Sequence, residues 1–350
     1  MLTEYGVNHP LAVKAWSRKL LREALKQSWF YKFMGTGSDA LIYIKNDLEK
    51  GPGDRVRCGL RMLLSGAGIQ GDDTLEGEEE ALVTYSDDLF IDQLRHAVRS
   101  KGKMSEQRVP FGVREEARSG LQDWWTDRLD TAFFNQLAGN TGQTDTRYTG
   151  NQATLAPTTL LLGGSEGVET SLSATTTHAL TLRDFDKAVA LAKTRSPMIR
   201  PFKKGGDDYY VAFLHPFAVY QLRGQTSTGQ WADIEKAKVQ GGKESGIFTG
   251  AIGVYNNVIF HEATRLPNIV GTPASGATTD FRRAVLAGAQ SCLLGFGQEN
   301  GSNVSWVEEL FDYKNQLGVS AGMIHGIKKA QYNSTDYGVI TLAGYAPQPV

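Results

Sequence analysis

Between Pro110 and Leu137 the chain has no internal proline, and Val113, Ala117, Leu121, Trp124, Trp125, Leu129, Ala132, Phe133 and Leu137 recur at helical spacing. The pattern predicts one helix of about seven turns, near 40 Å at about 1.5 Å per residue. A rod longer than a small domain is wide cannot be wrapped by a single compact core. It must act as a spine against which other elements lie, and the remaining segments are read around it.

Downstream, the Gly-, Thr- and Ser-rich stretch from Gly139 to Thr177 lacks periodicity and reads as a long loop or excursion. Thr181 starts a helix, "TLRDFDKAVALAKTR", closed by Pro197 and Pro201; "DYYVAFLHPFAVYQLR" reads as a buried strand that breaks at Pro216 and feeds a helix. Ile247 to Phe260 is strand-rich, and "TDFRRAVLAGAQSCLLG" reads as helical. The C-terminal "VSWVEELFDYKNQLGVSAGMIHGIKKAQYNSTDYGVITLAGY" predicts a small antiparallel sheet punctuated by turn residues. Helices and strands mix without βαβ alternation and no repeat is visible, so the class is α+β.

Upstream, residues 10 to 34 place Leu11, Trp16, Leu20, Leu21, Ala24, Leu25, Trp29 and Phe33 on one face of a helix. Lys14, Arg18, Lys19, Arg22 and Lys26 occupy other faces, and Gly35 and Gly37 end it. Such a face is either solvated or docks on a partner subunit or an acidic ligand. In "GPGDRVRCGLRMLL", Val56, Cys58, Leu60 and Met62 alternate with Arg55, Arg57 and Arg61, a strand with one apolar and one basic face. Gly66, Gly68 and Gly71 follow, then six acids between Asp72 and Glu80, then "ALVTYSDDLFIDQLRHAVRS". This predicts strand, acidic tip and return strand, with a helix from about Leu89.

Composition excludes several roles. With 37 basic and 38 acidic residues in 350, no global field draws the chain to nucleic acid or an anionic membrane. No apolar run reaches the length of a membrane span and the first residues lack a signal-peptide pattern, so the expectation is a soluble, non-exported chain. Cys58 and Cys292 sit among apolar neighbours, as reduced core thiols would.

Each chemical motif fails on its context. Gly66, Gly68 and Gly71 complete G-x-G-x-x-G, but acids follow where a helix N-terminus should receive a pyrophosphate. Gly163, Ser165 and Gly167 spell G-x-S-x-G without a packed helix behind the serine; a hydrolase using Ser165 is a minor alternative. His261 and Glu262 begin H-E-x-x-H, but Arg265 stands at the second histidine, and His9, His96, His178, His215 and His325 are isolated. A calcium-loop template on Asp72 finds Val83 where a bidentate carboxylate belongs, leaving only weak Ca²⁺ binding at the tip open. The expectation is no catalytic residue, no cofactor and no metal.

What remains is a projecting hairpin, a spine and a basic arm, which are interaction elements. The runs "KGPGDRVRCGLRMLLSGAGIQGDDTLEGEEEAL", "DDLFIDQLRHAVRSKGKMSEQR" and "REEARSGLQDWW", and later "FDYKNQLGVSAG" and "STDYGVITLAGY", resemble the major capsid proteins of tailed double-stranded DNA bacteriophages. The resemblance implies the Hong Kong phage-type capsid fold. Residues 1–39 would be an N-terminal arm and 40–104 an extended loop hairpin with its flank. Residues 105–180 and 251–350 would form a peripheral domain with spine helix 110–137, and 181–250 an axial domain. It implies hexameric and pentameric capsomers, an icosahedral shell around double-stranded DNA held without sequence specificity, and portal, scaffolding and decoration partners. The place would be the virion capsid, after assembly in the host cytoplasm. A nanocompartment shell of the encapsulin type shares the fold and is the alternative. The electrostatics point to inter-subunit contacts between the tip acids Asp72, Asp73, Glu76 and Glu78 and a basic patch, either Lys14, Arg18 and Arg22 on the arm or Arg114 and Arg118 on the spine.

Overall fold

The computed structural model describes residues 28–45, 53–61, 64, 66–71, 74–108, 112–204, 206–225, 251–297 and 305–349. The arm positions Lys14, Arg18 and Arg22, the tip acids Asp72 and Asp73, and residues 226–250 lie outside them. The described helices are α1 (Lys103–Gln107), α2 (Val113–Ala138), α3 (Leu182–Thr194) and α4 (Pro216–Arg223). The strands are β1 (Met34–Gly35), β2 (Ile42–Lys45), β3 (Arg55–Arg61), β4 (Thr84–Phe90), β5 (Asp92–Arg99), β6 (Leu160–Leu162), β7 (Phe202–Lys204), β8 (Asp207–Leu214) and β9 (Ala251–Tyr255). They continue with β10 (Val258–Glu262), β11 (Phe281–Ala287), β12 (Cys292–Phe296), β13 (Ser305–Phe311), β14 (Gln316–Lys329), β15 (Gln331–Tyr332), β16 (Thr335–Asp336) and β17 (Val339–Tyr345).

The predicted spine is α2, 26 residues long, or about 39 Å of helix. Its buried stripe runs through Ala117, Leu121, Trp125, Leu129, Phe133 and Leu137, four residues apart at each step. Glu115 and Glu116 in the first turn suit the positive end of the helix dipole. The helix stops at Gly139, whose φ of 64° is left-handed. A Cβ there would lie 2.8 Å from the Leu155 carbonyl, so the stop requires glycine. Buried Arg283 of β11 donates to the last carbonyls, Ala138 (3.0 Å) and Gly139 (2.7 Å), and pairs with Glu169 at 2.6 Å. One cation thus ties the negative helix end, the central sheet and the 139–177 excursion together.

Two sheets lie against the spine. The seven-stranded sheet is ordered β6-β17-β11-β8-β10-β9, with β7 also on β8. Val211 and Phe213 of β8, Ile259 of β10 and Val285 of β11 face α2. The alternate residues Ala212, Leu214, Phe260 and Leu286 face α3 and α4. Each buried Phe or Leu stabilises the fold by about 1.5–3 kcal/mol, an upper-end figure because the unfolded chain is itself partly collapsed. The other sheet is ordered β1-β2-β12-β14-β13, with β5 along the far side of β14. It meets the spine through Leu294, Ala321, Met323 and Ile327.

Burial on both faces explains one departure from expectation. "TDFRRAVLAGAQSCLLG" is not helical; it forms β11 and β12, joined at Gly288, where a Cβ would lie 2.4 Å from the Arg200 carbonyl. A strand covered on both sides loses its alternation and reads as a continuous apolar run, as a buried helix does. The helix expected from Leu89 is also absent. That stretch completes β4 and makes β5, which pairs with Gly318–His325 of β14 along its whole length. The C-terminal strands exist but do not make one small sheet. β13 and β14 belong to the sheet that also holds β1, β2, β12 and β5, and β17 lies between β11 and β6 in the seven-stranded sheet.

The chain enters this body at Ser28. Asp130, buried on α2, accepts from the Ser28 hydroxyl and from the Trp29 amide (3.1 Å), and Arg265 approaches it at 3.2 Å. Burial raises the Asp130 carboxyl above its usual range against those hydrogen bonds. Trp29, Phe30 and Phe33 pack with Phe133, Phe134 and Phe213. Within the described part of the predicted 10–34 helix, Tyr31–Phe33 is a single 3₁₀ turn followed by β1.

Candidate functional site

The hairpin is present with the predicted polarity. β3 and β4 pair antiparallel from Arg55↔Phe90 to Arg61↔Thr84. Val56 and Cys58 are buried and Leu60 half-buried, while Arg55, Arg57 and Arg61 are exposed. The apolar face sits on Leu293, Ala330, Tyr337, Tyr43 and Tyr332, which supplies what a two-stranded ribbon lacks in water.

Polar contacts lock this root to the body. Lys328 of β14 donates to the Asp87 carboxylate and, at 2.9 Å, to the Asp88 carbonyl; the Gln331 amide donates to Asp87 at 3.1 Å. Gln152 Nε2 donates to the Phe90 carbonyl (3.1 Å), and Asn151 Nδ2 bridges the Asp92 (3.0 Å) and His325 (2.9 Å) carbonyls. Gly326 admits this close approach, since a Cβ there would lie 1.9 Å from the Phe90 carbonyl. Behind the root is a fully buried ion pair, Lys329 with Asp336 at 2.8 Å. Lys329 also donates to the Leu155 (3.2 Å) and Ala156 (3.3 Å) carbonyls, and Asp336 accepts from the Thr158 amide (2.9 Å) and Gln331 Nε2 (2.9 Å). Burial lowers the Lys329 ammonium below its ordinary range, with Asp336 opposing the shift. On the outer face Arg57 and Asp88 pair at 2.7 Å, and that hydrogen bond holds the Asp88 carboxyl below its usual range.

Beyond Arg61 and Thr84 the described residues form no ladder. The tip folds on local contacts: Glu80 accepts from the Gly66 amide (2.7 Å), Glu79 from the Gly77 amide (2.8 Å), and the Leu75 carbonyl from the Glu78 amide (3.1 Å). Gly68 and Gly71 turn the chain at φ of 72° and 71°. Leu64, Leu75, Leu82 and Val83 are exposed, with Glu76 and Glu78 between them.

The predicted contact residues separate. Glu76 and Glu78 stand together on the tip. Arg114, at the start of α2, is half-buried and donates to the buried Glu308 of its own chain at 2.8 Å, with Arg118 one turn on. Sequence reading missed Lys328, Lys329, Asp87 and Asp336, whose pairing spans up to 241 residues.

The chemical motifs resolve in geometry. Among the described residues after Gly71 no helix begins before α1 at Lys103. Ser165 closes a 3₁₀ turn after the three-residue β6, with a second 3₁₀ turn next, not the strand–helix elbow a nucleophile needs. His261 and Glu262 lie on β10, where residues one helical turn apart cannot converge, and His261 is buried 3.4 Å from Lys32. Cys58 and Cys292 are buried and not bridged; burial raises the Cys292 thiol. Among the described residues no helix is long and apolar enough to cross a membrane.

A family model described as "Phage capsid protein" matches residues 4–348. The major capsid protein of Pseudomonas phage KPP25 is 28% identical over 93% of each chain. The solved capsid of Ralstonia phage GP4 superposes with a TM-score of 0.81 at 31% identity, covering 100% of both chains. The cyanophage Pam1 capsid shares the fold, with a TM-score of 0.75 at 20% identity over 93% of this chain and 94% of that one. A hairpin rooted in a two-sheet body, a spine beneath both sheets and a match along nearly the whole sequence converge: the chain belongs to the phage capsid protein family, a structural family and not one of enzymes.

Proposed function

We propose that copies of this chain join as hexameric and pentameric capsomers and close into the icosahedral shell that holds phage double-stranded DNA. The chain is a phage major capsid protein and its place is the virion capsid. In this reading residues 1–39 are the arm and 40–104 the extended loop with its flank. Residues 105–180 and 251–350 are the peripheral domain on the spine, and 181–250 the axial domain. Portal, scaffolding and decoration proteins are the expected partners, and DNA is enclosed without base readout, in keeping with a net charge of −1.

The observation that carries the reading is the hairpin itself. Its root is anchored through Lys328, Asp87 and Gly326, while its tip exposes leucines and carboxylates and carries local bonds such as that of Glu80 with the Gly66 amide. An element anchored at one end and left apolar at the other is built to lie on a neighbour. The tip acids Asp72, Asp73, Glu76 and Glu78 would meet a basic surface of an adjacent subunit, for which Lys14, Arg18 and Arg22 of the arm and Arg114 and Arg118 of the spine were the sequence candidates. Negative-stain microscopy of the expressed protein tests this. Shells, tubes or ring-shaped capsomers are expected, and reversing Asp72, Asp73 and Glu76 to Lys abolishes them while the monomer stays folded. Normal shells from that variant would sink the assignment of the tip.

A further inference from the structure

β5 is an edge of its sheet, and its outer side is unpaired. It meets β14 along Gly318–His325 and no other strand among the described residues. The Ser100 amide bonds the directly opposite Leu317 carbonyl at 2.8 Å, so the antiparallel alternation turns the amides and carbonyls of Gln93, Arg95, Ala97 and Arg99 away from the sheet. The Gln93 amide is capped locally, donating to the Asp92 carboxylate at 2.7 Å. Arg95, Ala97 and Arg99 are exposed and present an open ladder. Folded chains blunt such edges by brevity, proline, bulges or a cover. β5 runs for eight residues without proline and without a shift in register.

The two faces beside this edge differ in chemistry. Away from the spine, Arg95 lies across Gly322, where a Cβ would come 2.7 Å from its Cγ, and the Arg99 guanidinium sits 4.2 Å from the Phe311 ring. Among the described residues neither arginine is paired with a carboxylate. Toward the spine, His96 stacks on Trp124 at 4.6 Å, and Arg128 is held between the rings of Trp124 (5.0 Å) and Tyr148 (3.9 Å). This column steps from β5 to the 3₁₀ turn Thr146–Tyr148. Between the turn and the edge lies an open groove of about 520 Å³, walled by Thr146, Arg147 and Asn151.

An extended segment is the shape such a slot accepts, because a strand can bond the whole row of outward backbone groups at once. Alternation then sets its chemistry. Residues directly opposite across a ladder share a face, so side chains beside Arg95 and Arg99 should be carboxylates, and those above the Trp124–Tyr148 column apolar. β5 of a second copy is a poor occupant. Antiparallel self-pairing through the outward residues would gather Arg95 and Arg99 of both strands on one face, and like charges across a ladder are destabilising.

We propose that the open edge of β5 at Arg95, Ala97 and Arg99 binds, by strand addition, an extended segment of a separate protein that carries carboxylates at every second position and apolar side chains between them. Such a partner is distinct from the contacts that join copies of this chain.

A fluorescein-labelled peptide of alternating Glu and Val, titrated with the full chain, is the probe. Its anisotropy should rise, and a Lys–Val peptide of the same length should bind at least about tenfold more weakly. The bound peptide should slow amide hydrogen exchange at Arg95, Ala97 and Arg99. Ala97→Pro removes one donor where an N–H faces outward, a position that tolerates proline; binding should weaken about tenfold with the urea midpoint unchanged. Arg95→Glu with Arg99→Glu should invert the preference between the two peptides, and serves where Ala97→Pro does not fold. Equal binding of both peptides by the parent chain, or no binding at millimolar peptide, would overturn the proposal. So would protection confined to residues outside β5, or a peptide-independent dimer lost in Ala97→Pro, which would hand the edge to a second copy.

Discussion

The root and the tip of the Arg55–Phe90 hairpin are one ribbon under two regimes. At the root, Val56 and Cys58 are buried, Lys328 clasps Asp87, and Gly326 lets the Phe90 carbonyl approach where no other residue would. At the tip, three glycines and a few bonds from Glu79 and Glu80 hold a turn with its leucines in water. The root is specified by contacts within the chain, and substitution there should cost stability. In the proposed assembly the tip is specified by what it meets, so substitution there should cost assembly while leaving stability alone.

The buried pair behind the root offers the sharpest break of that contrast. Lys329→Met leaves Asp336 buried without its cation and should cost about 3–5 kcal/mol, read as a lowered urea midpoint, whereas tip variants leave the midpoint in place. Next comes acid. His325, buried beside the Asn151 bridge with Trp125 against its ring and Asp92 nearby, is held at a pKa of about 4 by burial. The unfolded chain, with its histidine near 6.5, takes up a proton that the folded chain refuses between those values, so stability falls as pH drops through that window. The loss should be on the order of 2–3 kcal/mol by pH 4.5, and urea titrations at pH 7 and 4.5 should show a smaller loss for His325→Phe than for the parent chain. Gly326→Ala drives a methyl into the Phe90 carbonyl and should cost about 1–3 kcal/mol, with faster amide hydrogen exchange localised to the β4–β5 junction. Arg57→Gln removes an exposed ion pair on the outer face of the same root. An unchanged urea midpoint is expected there, and a clear shift would show that the root depends on its surface as well as its seat.

The long-period features were legible in the sequence. The spine showed because its core contacts recur every four residues, and β3 because its outer face carries arginines in water and its inner face does not. β11 and β12 were misread because both faces of those strands are covered, which erases the alternation that would have marked them. β5 was misread because its identity comes from β14, more than 200 residues away, and not from its own composition. The candidate site followed the same division. The acidic tip is contiguous and could be read directly, but the root depends on pairs such as Lys328 with Asp87 and Lys329 with Asp336 that only the fold brings together.

β14 runs unbroken for 14 residues between the hairpin root and the turn that joins it to β13, and its face toward the spine is set by a repeat of two. Lengthening it by one residue would move every side chain beyond the insertion to the opposite face, turning core groups such as Met323 or Ile327 away from the spine. Lengthening it by two would preserve the faces and add about 6.7 Å. The span of the subunit is therefore granular. A lineage that needed a wider building block could reach it only in steps of a residue pair, and intermediate sizes would require a bulge.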